Sequence, residues 1–281
     1  MSDPLWVVDC GLVPYDDALD AQRLIGAARK RGEIPDTVAL LEHPPVYTRG
    51  RRSDPAELPM GVQWYEAQGI EVRDTDRGGR VTYHGPGQLV AYPIVELLPA
   101  ASSASRPGAA GSASPPASRP GAAGSASPPA SRPGARGRGF DVVGFVRLLE
   151  RVMVGALADW GIEAGTIDGL TGVWTPARRK IGSIGIHVSR GVTTHGLAVN
   201  VNNDLQPFEW IVPCGIDDCR MTSVGRELGA EQDLARFSGT LCEHLGTELA
   251  RGVKRVGAEE LAARIAGLGA LTRGAATGAL P

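Results

Sequence analysis

"RKIGSIGIHVSRGVTTHGLAVNVN", residues 179–202, contains two runs rich in Ile, Val and Thr that are separated by a short turn. A third run of the same kind, "GLTGVWT" at 169–175, precedes them. Runs of β-branched residues bounded by glycine-containing turns are typical of strands, and strands joined by short turns pair as antiparallel neighbours. The stretch therefore predicts three adjacent strands of one sheet.

Helices and further strands surround this stretch. Residues 15–32 place apolar side chains on one helical face, and residues 140–161 continue a 3.6-residue apolar period up to a glycine. The first of these faces consists of Ala18, Leu19, Leu24, Ile25 and Ala28. Further strands are predicted at 5–9, 36–43 and 88–97, and further helix near Glu231. We therefore expect an α+β fold, in which a mixed, largely antiparallel sheet packs with helices.

The composition is that of a globular protein in water. The chain has 281 residues, of which 42% are hydrophobic and 21% charged, and its formal net charge is -2. Such a balance provides no overall attraction to nucleic acid or to anionic membranes. No window approaches the roughly 18 consecutive apolar residues of a membrane span, and the start "MSDPLWVVDC" lacks a signal-peptide pattern. We expect a cytoplasmic protein with neither a membrane nor a nucleic-acid partner.

One segment differs from the rest in composition. Residues 100–139 consist almost wholly of Ala, Ser, Gly, Pro and Arg, and "ASRPGAAGSASPP" occurs twice, at 104–116 and 117–129. Because such a segment has little to bury, it cannot offset its own ordering entropy. We interpret it as a disordered insertion in a single catalytic domain, residues 1–266, that is followed by a flexible tail, 267–281. A linker between two domains is the alternative.

Cys214, in "WIVPCGIDD", is the candidate nucleophile. It follows an apolar stretch that ends in proline and precedes a glycine, so its thiol is predicted at a turn just outside a strand. The other cysteines, Cys10, Cys219 and Cys242, are interpreted as small core residues. A thiol with a pKa near 8.5 requires a neighbouring cation or base to be an effective nucleophile.

Lys180 is a candidate for that neighbour, because it stands at the start of a strand-like run of Ile, Gly and Ser. A lysine that faces a buried site can accept the proton of a thiol or hold the thiolate as an ammonium ion. A solvated charge in the cluster Arg178, Arg179 and Lys180 remains the alternative.

Metal and nucleotide sites have no sequence support. Cys214 and Cys219 are separated by four residues, and the histidines show neither HxH nor HExxH spacing. "HGPGQ" at 84–88 is neither a Walker A loop nor a GxGxxG turn. We expect no metal and no cofactor.

Taken together, four blocks resemble one family. They are "LLEHPPVYTRG" (40–50), "RGGRVTYHGPGQLVAYPI" (77–94), "KIGSIGIHVSRGVTTHGLAVNVNNDL" (180–205) and "FEWIVPCGI" (208–216). In order and spacing they are similar to the lipoyl(octanoyl) transferases, also called lipoate-protein ligase B. The resemblance extends from about Leu5 to Thr247, apart from the insertion, and implies the catalytic fold of biotin and lipoate ligases.

The resemblance also implies a reaction. Members of that family transfer an octanoyl or lipoyl group from acyl carrier protein to a lysine of lipoyl domains of 2-oxoacid dehydrogenases or of glycine-cleavage H protein. The acyl-accepting cysteine falls on Cys214, and the lysine that lowers its pKa falls on Lys180. The substrate-binding positions fall on Arg77, Gly78, Gly79, Arg80, Val81, Thr82, Tyr83, His84, Ser183, Ile184, Gly185, Gly196, Leu197 and Ala198. Arg80 departs from the lysine or glutamine typical of its position.

The resemblance suggests a use for the glycines of the 77–94 block. Gly78, Gly79, Gly85 and Gly87 would allow backbone to form the wall of a narrow apolar slot, with Tyr83, His84 and Gln88 near its mouth. Arginines 49, 51, 52, 178 and 179 form a predicted basic rim that would attract acidic partner proteins. An ATP-dependent lipoate or biotin ligase is the nearest alternative, and a non-catalytic acyl carrier or scaffold is a more distant one.

Overall fold

The computed structural model describes residues 3–97, 141–212 and 219–268. In chain order its strands are β1 (Leu5–Leu12), β2 (Thr37–Glu42), β3 (Val46–Arg49), β4 (Glu71–Asp74), β5 (Thr82–His84), β6 (Gln88–Ile94), β7 (Gly165–Ile167), β8 (Leu170–Trp174), β9 (Lys180–Ser189), β10 (Val192–Asn200) and β11 (Val253–Arg255). The helices are α1 (Tyr15–Lys30), α2 (Val62–Ala67), α3 (Val142–Asp159), α4 (Gln206–Glu209), α5 (Val224–Leu228), α6 (Leu234–Glu248) and α7 (Ala258–Ala262), and a 3-10 turn spans Pro55–Glu57.

Eight of these strands form the main sheet, in the order β11-β1-β2-β6-β10-β9-β8-β7. β1 runs parallel to both of its neighbours, β11 and β2, whereas every other adjacent pair is antiparallel. The predicted α+β class with a mixed, largely antiparallel sheet is therefore confirmed. β9 and β10 form the predicted hairpin, in which Val192 pairs with Ser189 across the turn.

Helices cover the two faces of the main sheet, because side chains along each strand alternate between the faces. On β10, Leu197 and Val199 pack in a cluster with residues of α3 and α6. Ala198, between them, packs on the opposite face with residues of α1 and α7. Of the predicted helical face of α1, Ala18, Ile25 and Ala28 are buried, whereas Leu19 and Leu24 are half-buried.

A smaller sheet, in the order β4-β3-β5, was not predicted. Its strands have four residues or fewer and lie among glycines and prolines, so they lack a sustained alternating pattern. An aromatic cluster supports this sheet, with the ring of Tyr47 against those of Tyr65 and Tyr83. The smaller sheet brings residues 77–84 beside the main sheet.

The predicted insertion, 100–139, falls outside the described residues, and so does most of the predicted tail. β6 ends shortly before the insertion, and β10 comes after it, yet the two strands are neighbours in the main sheet, with Ala91 opposite Leu197. Leu268, at the start of the predicted tail, is buried in the cluster on the α1 face. Packing of the chain thus continues slightly beyond residue 266.

Candidate active site

A cavity of about 430 Å³ opens beside β9 and β10. It is lined by side chains or backbone of Tyr15, Arg52, Arg77, Gly78, Gly79, Arg80, Thr82, His84, Val90, Tyr92, Val142, Val146, Gly169, Leu170, Thr171, Lys180, Ser183, Ile184, Gly185, Ile186, His195, Gly196, Leu197 and Ala198. The lining mixes apolar groups and backbone with a few polar side chains, which is the usual character of a small-molecule site.

The loop at 77–80 forms one wall of the cavity, and backbone hydrogen bonds hold it. Gly78 donates its N–H to the carbonyl of Ile186 on β9 at 2.9 Å. A side chain at Gly185 would start 3.0 Å from the Gly78 carbonyl oxygen, so glycine permits this close approach. Arg77 donates from its guanidinium to the Thr48 carbonyl at 2.7 Å, which ties the loop to the smaller sheet. The wall is therefore fixed from both sides.

Lys180 is the first residue of β9, and its side chain is almost fully buried. Its ammonium nitrogen is 5.3 Å from the ring centroid of Trp174. Gly172 makes room for it, because a side chain there would begin 2.8 Å from the Lys180 Cε. The alternative of a solvated surface charge is therefore wrong for Lys180.

Cys214 lies outside the described residues, which stop at Val212 and resume at Cys219. The ends of this gap are held by backbone hydrogen bonds. Val212 donates its N–H to the Glu57 carbonyl at 3.0 Å, and Lys180 donates its N–H to the Arg220 carbonyl at 2.8 Å. The meeting of the Cys214 sulfur with the Lys180 amine stays a prediction.

Four polar aromatic side chains line the cavity, namely those of Tyr15, His84, Tyr92 and His195. Their hydrogen atoms can be assigned from their partners. Tyr15 donates its hydroxyl to Thr75 at 3.0 Å. His84 donates from Nδ1 to the Gln88 Oε1 at 2.6 Å, because the amide nitrogen of Gln88 is itself used as a donor. Both donors are therefore committed to protein acceptors.

The same holds for the other two side chains. His195 donates from Nε2 to the Asp76 carboxylate at 2.8 Å. His43 lies 2.7 Å through Nδ1 from the Val13 carbonyl, so Nδ1 carries the hydrogen and Nε2 accepts the Tyr92 hydroxyl at 2.7 Å. These four side chains therefore present ring faces and acceptor atoms to the cavity. Each of their hydrogen-bond donors described above is already bound to a protein acceptor.

Burial keeps this group of side chains neutral. Burial lowers the pKa of His43 to about 4 and the pKa of His84 well below its usual value. It also lowers the pKa of His195, although the Asp76 carboxylate acts in the opposite direction. For Tyr15 and Tyr92 burial raises the pKa, so both phenols stay protonated. At neutral pH the histidines of this group are therefore uncharged.

All of the predicted substrate-binding residues line the cavity except Val81 and Tyr83. Successive side chains of an extended segment point to opposite sides, so Thr82 and His84 reach the cavity while Val81 and Tyr83 pack in the aromatic cluster behind it. The contacts of all these residues with substrate stay predictions.

Two of the four glycines that were predicted to form the wall of the slot lie outside the cavity lining. Gly78 and Gly79 line the cavity, but Gly85 and Gly87 do not. Gly87 has a φ of +84° and sits against the backbone of Asn202 and Asn203, where a side chain would begin 2.7 Å from the Asn203 nitrogen. Gln88 is buried and holds His84 rather than standing at the mouth.

Sequence reasoning did not single out Tyr15, Tyr92 or His195. Each lies in a predicted helix or strand, and an aromatic or histidine side chain within such a pattern is normally interpreted as part of the hydrophobic core. A weak signal was present at His195, since a polar residue interrupts an apolar strand directly before a glycine. The structure shows that this position has a φ of +58°, unusual for a residue with a side chain.

The predicted basic rim is divided between paired and unpaired arginines. Arg49 pairs with Asp74 and Arg179 with Glu227. Arg51, Arg52 and Arg178 are exposed, and no acidic side chain of the described ranges forms an ion pair with them. Arg52 also lines the cavity.

Two features are missing from the described part of the chain. Its helices include none that is both long and apolar enough to cross a membrane. Within the same residues, no group of three or more His, Cys, Asp or Glu side chains could hold a metal ion.

Comparison with known proteins gives consistent results. The family model described as lipoyl protein ligase A/B catalytic domain matches residues 14–105 and 133–246. An octanoyltransferase of Corynebacterium efficiens is 39% identical over 235 residues, which cover 82% of this chain and 75% of that protein. An octanoyltransferase of Mycolicibacterium smegmatis is 38% identical over 260 residues, covering 89% and 93% respectively.

Solved structures share the fold at low identity. A bipartite lipoate protein ligase of Thermoplasma acidophilum, from a study of an archaeal lipoylation system, superposes with a TM-score of 0.61 at 13% identity, covering 97% of this chain and 91% of that one. A lipoate-protein ligase A bound with ATP gives a TM-score of 0.61 at 12% identity, covering 97% and 93%. The predicted ligase-type catalytic fold is thereby confirmed.

Proposed function

The chain belongs to the lipoyl protein ligase A/B catalytic-domain family, and on that premise we propose that it transfers an octanoyl group from acyl carrier protein to a lysine of a lipoyl domain through a cysteine thioester. It is an acyltransferase of the octanoyltransferase type. The acyl donor, the covalent intermediate and the choice between lipoyl domains and glycine-cleavage H protein as acceptors are the parts that we propose.

One observation supports the proposal most. Lys180 and substrate-binding candidates from two separate stretches of sequence, 77–84 and 183–198, line a single cavity. Lys180 is buried there against an aromatic ring instead of being solvated. A buried amine beside a slot with apolar lining is a suitable partner for a thiol that must be deprotonated before it accepts an acyl chain.

The proposed reaction has two steps. The Cys214 thiolate attacks the thioester carbon of the donor; a new carbon–sulfur bond forms, the old one breaks, and the carrier thiol leaves. The acceptor lysine amine then attacks the Cys214 thioester, an amide bond forms and the Cys214 thiolate leaves. Lys180 accepts the Cys214 thiol proton, donates it to the sulfur of the departing carrier and, neutral again, accepts a proton from the acceptor amine as the Cys214 thiolate leaves. Exchange of one thioester for another is nearly thermoneutral, so no ATP is required.

The exposed arginines support a role for electrostatics in docking. Arg52 lies at the cavity itself, and Arg51 precedes it in a turn that is hydrogen-bonded to the carbonyls of Arg77 and Gly79. Acidic carrier and acceptor proteins would be steered to this side of the molecule, with an association rate that falls as salt is added.

We also propose that residues 1–266 form one catalytic domain interrupted by the insertion at 100–139. The pairing of β6 with β10 supports this, because strands from the two sides of the insertion are neighbours in one sheet. A cytoplasmic location remains part of the proposal.

Intact-protein mass spectrometry tests the function. The purified chain is mixed with octanoyl-acyl carrier protein without ATP, and we expect a mass gain of one octanoyl group. Cys214→Ser should abolish the gain. Cys242→Ser is the matched control and should retain it, because burial raises the pKa of the Cys242 thiol to about 12 and keeps it unreactive. A wild-type protein that gains no mass without ATP, but modifies a lipoyl domain when octanoate and ATP are added, would instead be a ligase.

A further inference from the structure

The side chains that bring charge to the cavity at neutral pH are all cationic. They are those of Arg52, Arg77, Arg80 and Lys180, and among the described residues of the lining there is no aspartate and no glutamate. The whole chain has a formal net charge of -2, so this concentration of positive charge is local. Because cations repel one another, their grouping favours a ligand that brings a negative group.

Two of these arginines, Arg52 and Arg80, are exposed, so solvent reaches the cavity beside them. Arg80 donates to the Glu57 carboxylate at 2.6 Å, and that carboxylate offsets its charge. Arg52 forms no ion pair with an acidic side chain of the residues that the structure describes. Its positive charge therefore remains available to a ligand on the exposed side of the cavity.

A hydrogen-bonded turn holds the backbone of Arg52 in place. Ser53 donates its N–H to the Gly50 carbonyl at 2.9 Å, and Arg52 donates its N–H to the Gly79 carbonyl at 3.0 Å. Gly50 allows the turn to approach the loop at 77–80, because a side chain there would begin 2.5 Å from the Gly79 carbonyl oxygen. Since the backbone is already fixed, a ligand has to order only the arginine side chain, which lowers the entropy cost of binding.

The proposed acyl donor carries a negative group on the same arm as its thioester. In acyl carrier protein the acyl group is bound to the thiol of a pantetheine arm, and a phosphodiester joins that arm to the protein. When the thioester is inside the cavity, the arm must leave it on a solvent-exposed side, where Arg52 lies. A guanidinium donates two parallel hydrogen bonds to a phosphate, which makes arginine well suited to this recognition.

We propose that Arg52 binds the phosphodiester of the donor's pantetheine arm. The inference rests on the proposed function, because it names the part of the acyl donor that this side of the cavity recognises. Arg52 is thus a specificity-determining residue for phosphopantetheine thioesters, and it takes no part in bond making. Since the phosphodiester is unchanged by the reaction, Arg52 binds it equally in the ground state and the transition state, and its loss raises KM more than it lowers kcat.

The test compares two small donors that differ only in the phosphate, S-octanoyl-phosphopantetheine and S-octanoyl-pantetheine. Acylation of the full chain is followed by intact-protein mass spectrometry at several donor concentrations. We expect the wild type to favour the phosphorylated donor about tenfold in the second-order rate constant of acylation. Arg52→Gln should reduce this ratio to about one, and Arg52→Glu should reverse it, because a carboxylate repels the phosphate. A folding defect would slow both donors alike, so the ratio reports on recognition of the phosphate.

Arg190→Gln is the matched control, because Arg190 is exposed in the turn between β9 and β10 and is not part of the cavity lining. It should keep the wild-type ratio. A wild-type ratio near one would overturn the inference, and so would a ratio that Arg52→Gln leaves unchanged, even if that variant reacts more slowly with octanoyl-acyl carrier protein. In those cases octanoyl transfer itself still stands. If the wild type is acylated by neither small donor nor by octanoyl-acyl carrier protein, the proposed function fails and the inference fails with it.

Discussion

The ammonium nitrogen of Lys180 lies 5.3 Å from the centroid of the Trp174 ring, in a site where both side chains are buried. An aromatic face attracts a cation by about 0.5 to 2 kcal/mol, and the attraction is greatest where water is excluded. The contact therefore positions the amine. Under the proposed mechanism the positioned ammonium ion, formed when Lys180 accepts the thiol proton, holds the Cys214 thiolate.

We expect Trp174→Phe to slow acylation of the enzyme by roughly 3- to 30-fold, because a smaller ring gives a weaker and less well-placed attraction. Trp160→Phe is the matched control, since Arg236 lies over its ring at 5.2 Å at a position outside the cavity lining. Rapid-quench acylation rates and melting temperatures of both variants provide the comparison. Equal rates in the two variants would show that Trp174 has no such role.

Gly172 is the residue that gives Lys180 its space, and we expect Gly172→Ala to cost on the order of 3 kcal/mol of unfolding free energy. The backbone there has a φ of +120°, and an added Cβ would lie 2.5 Å from the Gly182 carbonyl oxygen. Gly69→Ala is the control, because Gly69 also has a positive φ but no atom within 4 Å of the added group, so only about 1 to 2 kcal/mol of backbone strain should appear. Urea denaturation measures both; similar losses would contradict the crowding argument.

Acid should destabilise the fold through its buried histidines. Folding lowers the pKa of His43 from 6.5 to about 4. Above pH 6.5 both the folded and the unfolded chain are neutral at this site, and the full stability is present. As the pH falls below 6.5, the unfolded chain binds a proton that the folded chain does not, so stability is lost progressively down to about pH 4.

The loss from His43 alone is expected to be on the order of 3 kcal/mol by pH 4. Unfolding free energies from urea denaturation at several values between pH 7.5 and pH 4.5 measure it. His43→Gln removes one titrating group and should make the pH dependence shallower by up to one proton. A variant with an unchanged slope would mean that His43 does not account for the acid sensitivity.

Glu57 connects the cavity wall to the segment that leads to Cys214. Its carboxylate accepts from Arg80 at 2.6 Å and from the Val81 N–H at 3.2 Å, while its carbonyl accepts from Val212. In Glu57→Gln the amide NH₂ would face either the Arg80 guanidinium or the backbone N–H donors, and we expect a loss of about 1 to 3 kcal/mol in unfolding free energy and slower acyl transfer.

The control for Glu57 is Glu248→Gln, which removes a more exposed pair with Arg151. Surface pairs of this kind contribute at most about 1 kcal/mol, and acyl transfer should be unchanged. A Glu57→Gln variant with wild-type stability and rate would show that the connection through Glu57 is not needed.

The central hairpin shows what local pattern can predict. Residues 180–200 contain two runs rich in Ile, Val and Thr that are separated by a short turn, and these runs form β9 and β10 as expected. The smaller sheet escaped prediction because β5 has three residues, and its pairing with β3 is decided by contacts far away in sequence. The packing of Val81 and Tyr83 in the aromatic cluster could not be predicted for the same reason, since a run of residues in a motif does not reveal which side each one faces.

The sequence by itself determined six of the eight strands of the main sheet, the helical faces and, through motifs, the family and its candidate nucleophile and lysine. Those features depend on local periodicity and on residue types at given spacings, which a linear chain displays directly. Only the tertiary structure decided that Lys180 is buried against Trp174, and that Tyr15, Tyr92 and His195 line the cavity. Burial and hydrogen-bond partners arise when distant segments pack together, so no single stretch of sequence contains them.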